Sequence, residues 1–205
     1  MKKITLLFAL LLSTVASAQG YYQVITGYNY TEYKFNNSQQ ETTIFDRGEG
    51  SFYELGYEAR IASKDYLFYR ASLSLNSFNG LGDLQGEALS WDTRFLGVGG
   101  GVLFKVPIKK AALRLEVGAS IHHLIHGKQY IGGTLYNLRN TEEFKNVKLM
   151  ANAGIGIEQH LTQNLAIHAG YAFHISALAT SKNSTENLQM NTHQIRLGIL
   201  IKSIY

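Results

Sequence analysis

Cysteine is absent and proline occurs once in 205 residues. After residue 18 no apolar run reaches the roughly 18 to 20 residues that a membrane-spanning helix needs. Without cysteine no disulfide can hold an exported fold, so the backbone hydrogen-bond network must hold it. Strong charge is missing too. The formal net charge is +4, and Lys2 and Lys3 at the extreme N-terminus supply two of those positive charges. The remainder has no polybasic run and is too small to argue for nucleic acid or an acidic substrate. If this chain sits in a membrane, it sits there as strands.

The first eighteen residues have the layout of a signal peptide. Lys2 and Lys3 form the basic start, Ile4 to Leu12 the apolar run, and Ala16-Ser17-Ala18 the small-residue cleavage site. Cleavage there would make Gln19 the first mature residue and leave residues 19–205 as one domain, a size common for all-β barrels.

From Tyr22 to Tyr205 the chain keeps returning to stretches in which every second side chain is large and apolar. In "LRLEVGASI", Leu113, Leu115, Val117, Ala119 and Ile121 alternate with Arg114, Glu116, Gly118 and Ser120. A period of two is the period of a β-strand. The pattern predicts eight strands, over about 21–32, 52–61, 66–76, 91–106, 111–122, 146–158, 165–175 and from about 194 to the terminus. The fourth is interrupted by Gly99-Gly100-Gly101, which fits a bend or bulge, and carries Lys105 on its polar face.

The connections alternate in length. Short ones fall around "ASKD", "PIKK" and "LTQN", and the sole proline, Pro107, sits in one of them, where its missing N–H does not interrupt a ladder. The others are polar stretches of roughly 12 to 23 residues, far longer than ordinary hairpin loops. Tight turns at one rim and long loops at the other describe an outer-membrane barrel.

Cost assigns the faces. The apolar faces hold no charge in their central portions, whereas the opposite faces hold Glu54, Glu58, Arg60, Arg70, Arg114, Glu116, Lys148, Glu158, Arg196 and Lys202. An Arg or Lys facing lipid at mid-depth costs roughly 2 to 4 kcal/mol. These residues are therefore expected inside, where acids and bases can pair. An eight-stranded barrel has an interior just wide enough for side chains to fill, so no solute pore is expected. The amphipathic rings of Tyr21, Tyr22, Tyr33, Tyr66, Trp91 and Tyr205 fall near strand ends and are expected at the lipid–water boundary. A soluble lipocalin-like binding barrel is the alternative, with the apolar face inside. It would need a polar outer face of Lys, Glu and Thr, where this chain has mainly Gly and Ser.

The mature chain resembles the outer-membrane β-barrel family of the OmpA and OmpX type, in particular the small stand-alone barrels of Gram-negative bacteria. The resemblance is carried by the leader ending "ASAQ", the eight alternating segments and the terminal "HQIRLGILIKSIY". That terminus is similar to the C-terminal signal read by the barrel-assembly machinery, with Gly198, Ile199, Ile201 and a final aromatic, Tyr205. It departs where Ser203 replaces a hydrophobe and Tyr replaces Phe. The "ASAQ" end also resembles exported proteins of the Bacteroidetes. The resemblance implies an all-β, eight-stranded antiparallel up-and-down transmembrane β-barrel, monomeric and in contact with outer-membrane lipids. Face segregation and loop asymmetry point to a surface-contact or envelope-integrity role, with no catalysis, cofactor or metal expected.

Two constellations could carry chemistry. His174, Ser176 and the later Glu186 resemble the His-x-Ser pair and Glu of outer-membrane lipid A 3-O-deacylases, with Ala177 where that family has Asn. Such a triad would use Ser176 as nucleophile, His174 as base and Glu186 to orient it. Strand parity, however, turns His174 inward, away from lipid. His122, His123 and His126 in "HHLIH" place two imidazoles four residues apart on one face, but a metal site needs three or four converging ligands. The long loops could carry binding function, yet none contains a motif that names a ligand.

Overall fold

The computed structural model describes residues 20–36, 42–61, 64–84, 86–141, 144, 147–176 and 187–203. The expected leader, Glu186 and Tyr205 lie outside these residues. Eight long strands form the wall: β1 (Gly20–Asn36), β3 (Asp46–Arg60), β4 (Leu67–Ser77), β6 (Glu87–Ile108), β7 (Ala111–Ile131), β9 (Lys148–His160), β10 (Leu165–Ser176) and β11 (Asn187–Lys202). Each pairs antiparallel with its neighbour, and β11 returns to pair with β1, with Tyr21 opposite Lys202 and Val24 opposite Ile199. The sheet closes on itself, so no backbone edge is left to face lipid.

The outward face is a continuous apolar belt. Val24, Leu55, Leu73, Val98, Ile121 and Leu149 are cross-strand neighbours in that order around the wall. All six side chains are exposed. No helix among the described residues is long and apolar enough to cross a membrane.

Three short strands occupy what the sequence pattern reads as loops: β2 (Thr42–Ile44), β5 (Gly80–Leu84) and β8 (Thr134–Asn137). β5 continues the line of β4 along β6 after a break at Phe78-Asn79. The side chains of Asn79 and Thr93 repair that break. The Thr93 amide donates to Asn79 Oδ1 at 3.1 Å, and the Thr93 hydroxyl donates to the Phe78 carbonyl. Far more of the chain is strand than the alternation predicts. β6 runs 22 residues and β7 runs 21. A strand needs only about 9 to 11 residues to cross a bilayer, so both extend well past it. The 3-10 turn η1 (Leu138–Asn140) closes the β8 excursion.

The turns that join β3 to β4, β6 to β7 and β9 to β10 lie at one rim. Among these three the β6–β7 turn is the tightest, the two residues Lys109-Lys110, where Lys109 has φ 56°, a left-handed conformation that favours glycine.

Candidate functional site in the barrel interior

The interior is stacked in levels. Nearest the short turns, four charged side chains form a closed ring. Lys105 on β6 bonds both Glu58 on β3 and Glu158 on β9, the latter at 2.7 Å. Arg114 on β7 bonds the same two carboxylates, reaching Glu58 at 2.8 Å. The register explains why both acids are needed. Lys105 and Arg114 stand directly opposite each other on β6 and β7, and like charges so placed repel. Two carboxylates from other strands bridge them. The Lys105 ammonium also lies over the Phe68 ring, 4.7 Å from its centroid.

One level higher a second ring repeats the arrangement. Arg70 on β4 bonds Glu54 on β3 and Glu116 on β7, the latter at 2.7 Å. Arg196 on β11 bonds the same pair, with Glu54 at 3.3 Å. Each ring holds two acids and two bases and is neutral. Small residues make the room: a Cβ on Gly154 would stand 2.9 Å from Glu116 Cγ.

Above the rings lies a polar level. His174 Nε2 shares a 3.0 Å hydrogen bond with Gln194 Oε1, whose amide donates to Asn76 Oδ1 at 3.1 Å. Ser120 Oγ and His122 Nε2 are 2.8 Å apart. The cavity between this level and the upper ring is about 40 Å³, room for a water or two and not for a solute path.

The top level is apolar. Tyr33, Phe78, Leu89, Trp91, Phe95, Leu124, Met150 and Met190 are among the buried side chains of one cluster inside the long-loop end. Tyr33 and Trp91 meet edge to face with centroids 4.8 Å apart, and the Tyr33 hydroxyl donates to the Phe78 carbonyl.

Several expectations shift against this geometry. Of the predicted interior charges, Glu54, Glu58, Arg70, Arg114, Glu116, Glu158 and Arg196 belong to the two rings, and Lys148 is buried on the inward face. Arg60 does not join them. It ends β3 beyond the last filled level and pairs with Asp65 in the neighbouring turn at 2.7 Å, half exposed. Lys202 lies outside both rings, at the short-turn mouth beside Lys105, Glu158 and His160. Lys105 completes the lower ring although the sequence reading leaves it out of the paired charges. Its parity with Gly97, Gly99 and Gly101 is the signal that places it inward.

The aromatic girdle also divides. Tyr22 and Tyr66 are exposed, but Tyr33 and Trp91 are buried in the interior cluster. Ile199 and Ile201 face outward and Gly198 inward.

Neither the candidate triad nor the histidine cluster converges. Ser176 Oγ accepts the Met190 amide at 2.7 Å, and His174 bonds Gln194 instead of Ser176. The third member, Glu186, lies outside the described residues. In the histidine cluster, the β6–β7 register shifts between Arg94 and Phe95: Arg94 faces His126 and Phe95 faces Leu124. Ile125 is the extra, bulged residue, so His122 points in and His126 reaches the outward Asp92 at 3.8 Å. Among the described residues no group of three or more His, Cys, Asp or Glu could hold a metal.

The comparisons agree with this architecture. A major outer-membrane protein from Thermus thermophilus superposes with a TM-score of 0.53 at 11% identity, covering 87% of this chain and 99% of that one. The outer-membrane protease OmpT from Escherichia coli gives 0.51 at 6% identity, covering 90% and 97%. OprG from Pseudomonas aeruginosa gives 0.50 at 8% identity, also covering 90% and 97%. At such identities the likeness is one of fold. No curated protein matches the chain by sequence. The family model described as the outer membrane protein beta-barrel domain matches residues 4–201. The chain belongs to that family of outer-membrane β-barrels.

Proposed function

We propose that this protein is a closed, non-catalytic outer-membrane barrel that serves surface contact or envelope integrity. The observation that carries the reading is the pair of neutral four-membered charge rings, which fill the bore with side chains anchored on strands all around the wall. A pore would need a wet lumen. Here the carboxylates and cations are spent on one another, and an apolar level closes the outer end.

The same geometry supports the absence of catalysis. An esterase would need a serine presented to lipid with a base at hydrogen-bond distance, whereas Ser176 and His174 each hold other partners inside the wall. Export through a leader cleaved after Ala18, recognition of the Gly198–Tyr205 segment by the barrel-assembly machinery, and a monomer surrounded by outer-membrane lipids complete the proposal.

Purified protein in planar bilayers is expected to give no discrete conductance steps, and a steady ohmic channel would overturn the closed-bore reading. Lipid A from cells with and without the protein is expected to show identical acylation by mass spectrometry. Loss of an acyl chain dependent on Ser176 would make it an enzyme.

A further inference from the structure

The described residues do not fill the apolar level at the long-loop end to its rim. A cavity of about 360 Å³ opens there, with Phe35, Phe45, Leu89, Trp91, Phe144 and Leu188 on its walls and Thr43, Asp83, Gln129 and Thr141 between them. That volume is at the lower end of small-molecule sites, roughly 300 to 1,000 Å³, which combine apolar walls with a few polar groups. Aromatic rings dominate one side, with Phe45 and Phe144 centred 4.7 and 5.5 Å from Trp91. Gly82 makes space for the Phe45 ring, because a Cβ there would stand 2.6 Å from it.

Among the described residues one polar group in this wall lacks a partner. Trp91 is 8% exposed, and its indole Nε1 has no hydrogen-bond acceptor among them. Its neighbour Tyr33 is equally enclosed but satisfied, since its hydroxyl donates to the Phe78 carbonyl. Buried donors are normally paired, so the unpaired indole N–H of a ring that lines the cavity marks where an acceptor is expected. The described lining holds one carboxylate, Asp83, and no base, which disfavours an anion.

We propose that the outer mouth binds a small uncharged amphipathic molecule, with an aromatic or short acyl body and one carbonyl or hydroxyl oxygen that accepts from Trp91. The ion-pair rings beneath mean that such a molecule is held and not passed through. The inference rests on the proposed function only in placing this mouth outside the cell. A conducting bore would end that reading and leave this one standing.

The test uses the full-length protein in phospholipid nanodiscs, with empty discs as reference and calorimetry as readout. The probes are 2-acetylnaphthalene, 2-ethylnaphthalene and 2-naphthoate, which share a ring system and differ in acceptor and charge. Saturable one-to-one binding of the ketone is expected, with the ethyl analogue and the carboxylate each about tenfold weaker, the scale of one hydrogen bond to a buried donor. Trp91→Phe should bring the ketone down to the ethyl analogue, and Leu188→Phe, which fills the cavity, should remove binding of both. Heat-modifiable gel mobility checks that each variant is folded. Should a variant fail to fold, the unmodified protein suffices: Trp91 is the chain's sole tryptophan, and its emission should change saturably with the ketone. Uptake no greater than by empty discs, or equal affinity for ketone and ethyl analogue, would overturn the proposal.

Discussion

The two ends of the barrel wall obey opposite rules. In the belt region the outward side chains are Leu, Val and Ile while the inward ones are Arg, Glu and Lys. Toward the long loops the same strands reverse. On β1, Glu32 and Lys34 point out and pair with each other at 3.4 Å, while Tyr33 between them is fully buried. On β6, Asp92 and Arg94 point out while Trp91 and Phe95 are buried inside. The backbone ladder is continuous through the change, so hydrogen bonding does not cause it. The solvent outside does. Where lipid surrounds the wall, apolar groups go out and the polar ones must satisfy one another within. Where water surrounds it, the wall becomes an ordinary soluble β-structure with an apolar core.

That contrast is broken most severely from the lipid-embedded half. Arg114→Met takes from Glu58 and Glu158 one of the two cations that bridge them, and removing one partner of a buried ion network costs about 3 to 5 kcal/mol. Urea unfolding of the protein folded into phosphatidylcholine vesicles should report that loss. Adding Glu158→Gln to the same variant restores neutrality to the ring and should recover a good part of it.

The outward faces sharpen the comparison with a smaller effect. Val98→Arg puts a cation into the belt and should cost about 2 to 4 kcal/mol. Ser90→Arg, on the same face of the same strand but past the reversal, should stay within about 0.5 kcal/mol, as surface substitutions usually do. Equal costs at the two positions would mean that lipid reaches both.

The smallest expected change lies outside both regions, at the short-turn rim. Lys109→Gly relieves a left-handed backbone and should raise stability by about 0.5 kcal/mol after glycine's own entropy cost. The same urea titration resolves its sign.

Much of the lower half is legible in the sequence because one period and one solvent govern it. Leu113 to Ile121 alternate without interruption, and the cost of charge in lipid settles which way Arg114 and Glu116 face. Partner choice is not legible. Glu58 stands opposite Arg70 in register, yet Glu58 bonds Lys105 and Arg114 across the lumen while Arg70 bonds Glu54. Register fixes neighbours along the wall, and the bore is narrow enough for long side chains to pass them by. The upper half is hidden for a different reason. Its strands carry polar residues outward, so "NGLGDLQGEA" has the polarity of a loop although Gly80–Leu84 is strand. Trp91 reads as a boundary aromatic because rings at strand ends usually are. The single extra residue Ile125 separates His122 from His126, and nothing in the local sequence marks that bulge.

The reversal itself can be tested on Trp91 alone, since no other tryptophan contributes to emission. The protein is folded into bilayers whose acyl chains carry bromine at defined depths, and quenching of Trp91 is measured at each depth. A ring buried inside the wall above the lipid should be quenched weakly at every depth. Strong quenching by bromine near the headgroups would place Trp91 outward in a boundary girdle and contradict the inverted outer half.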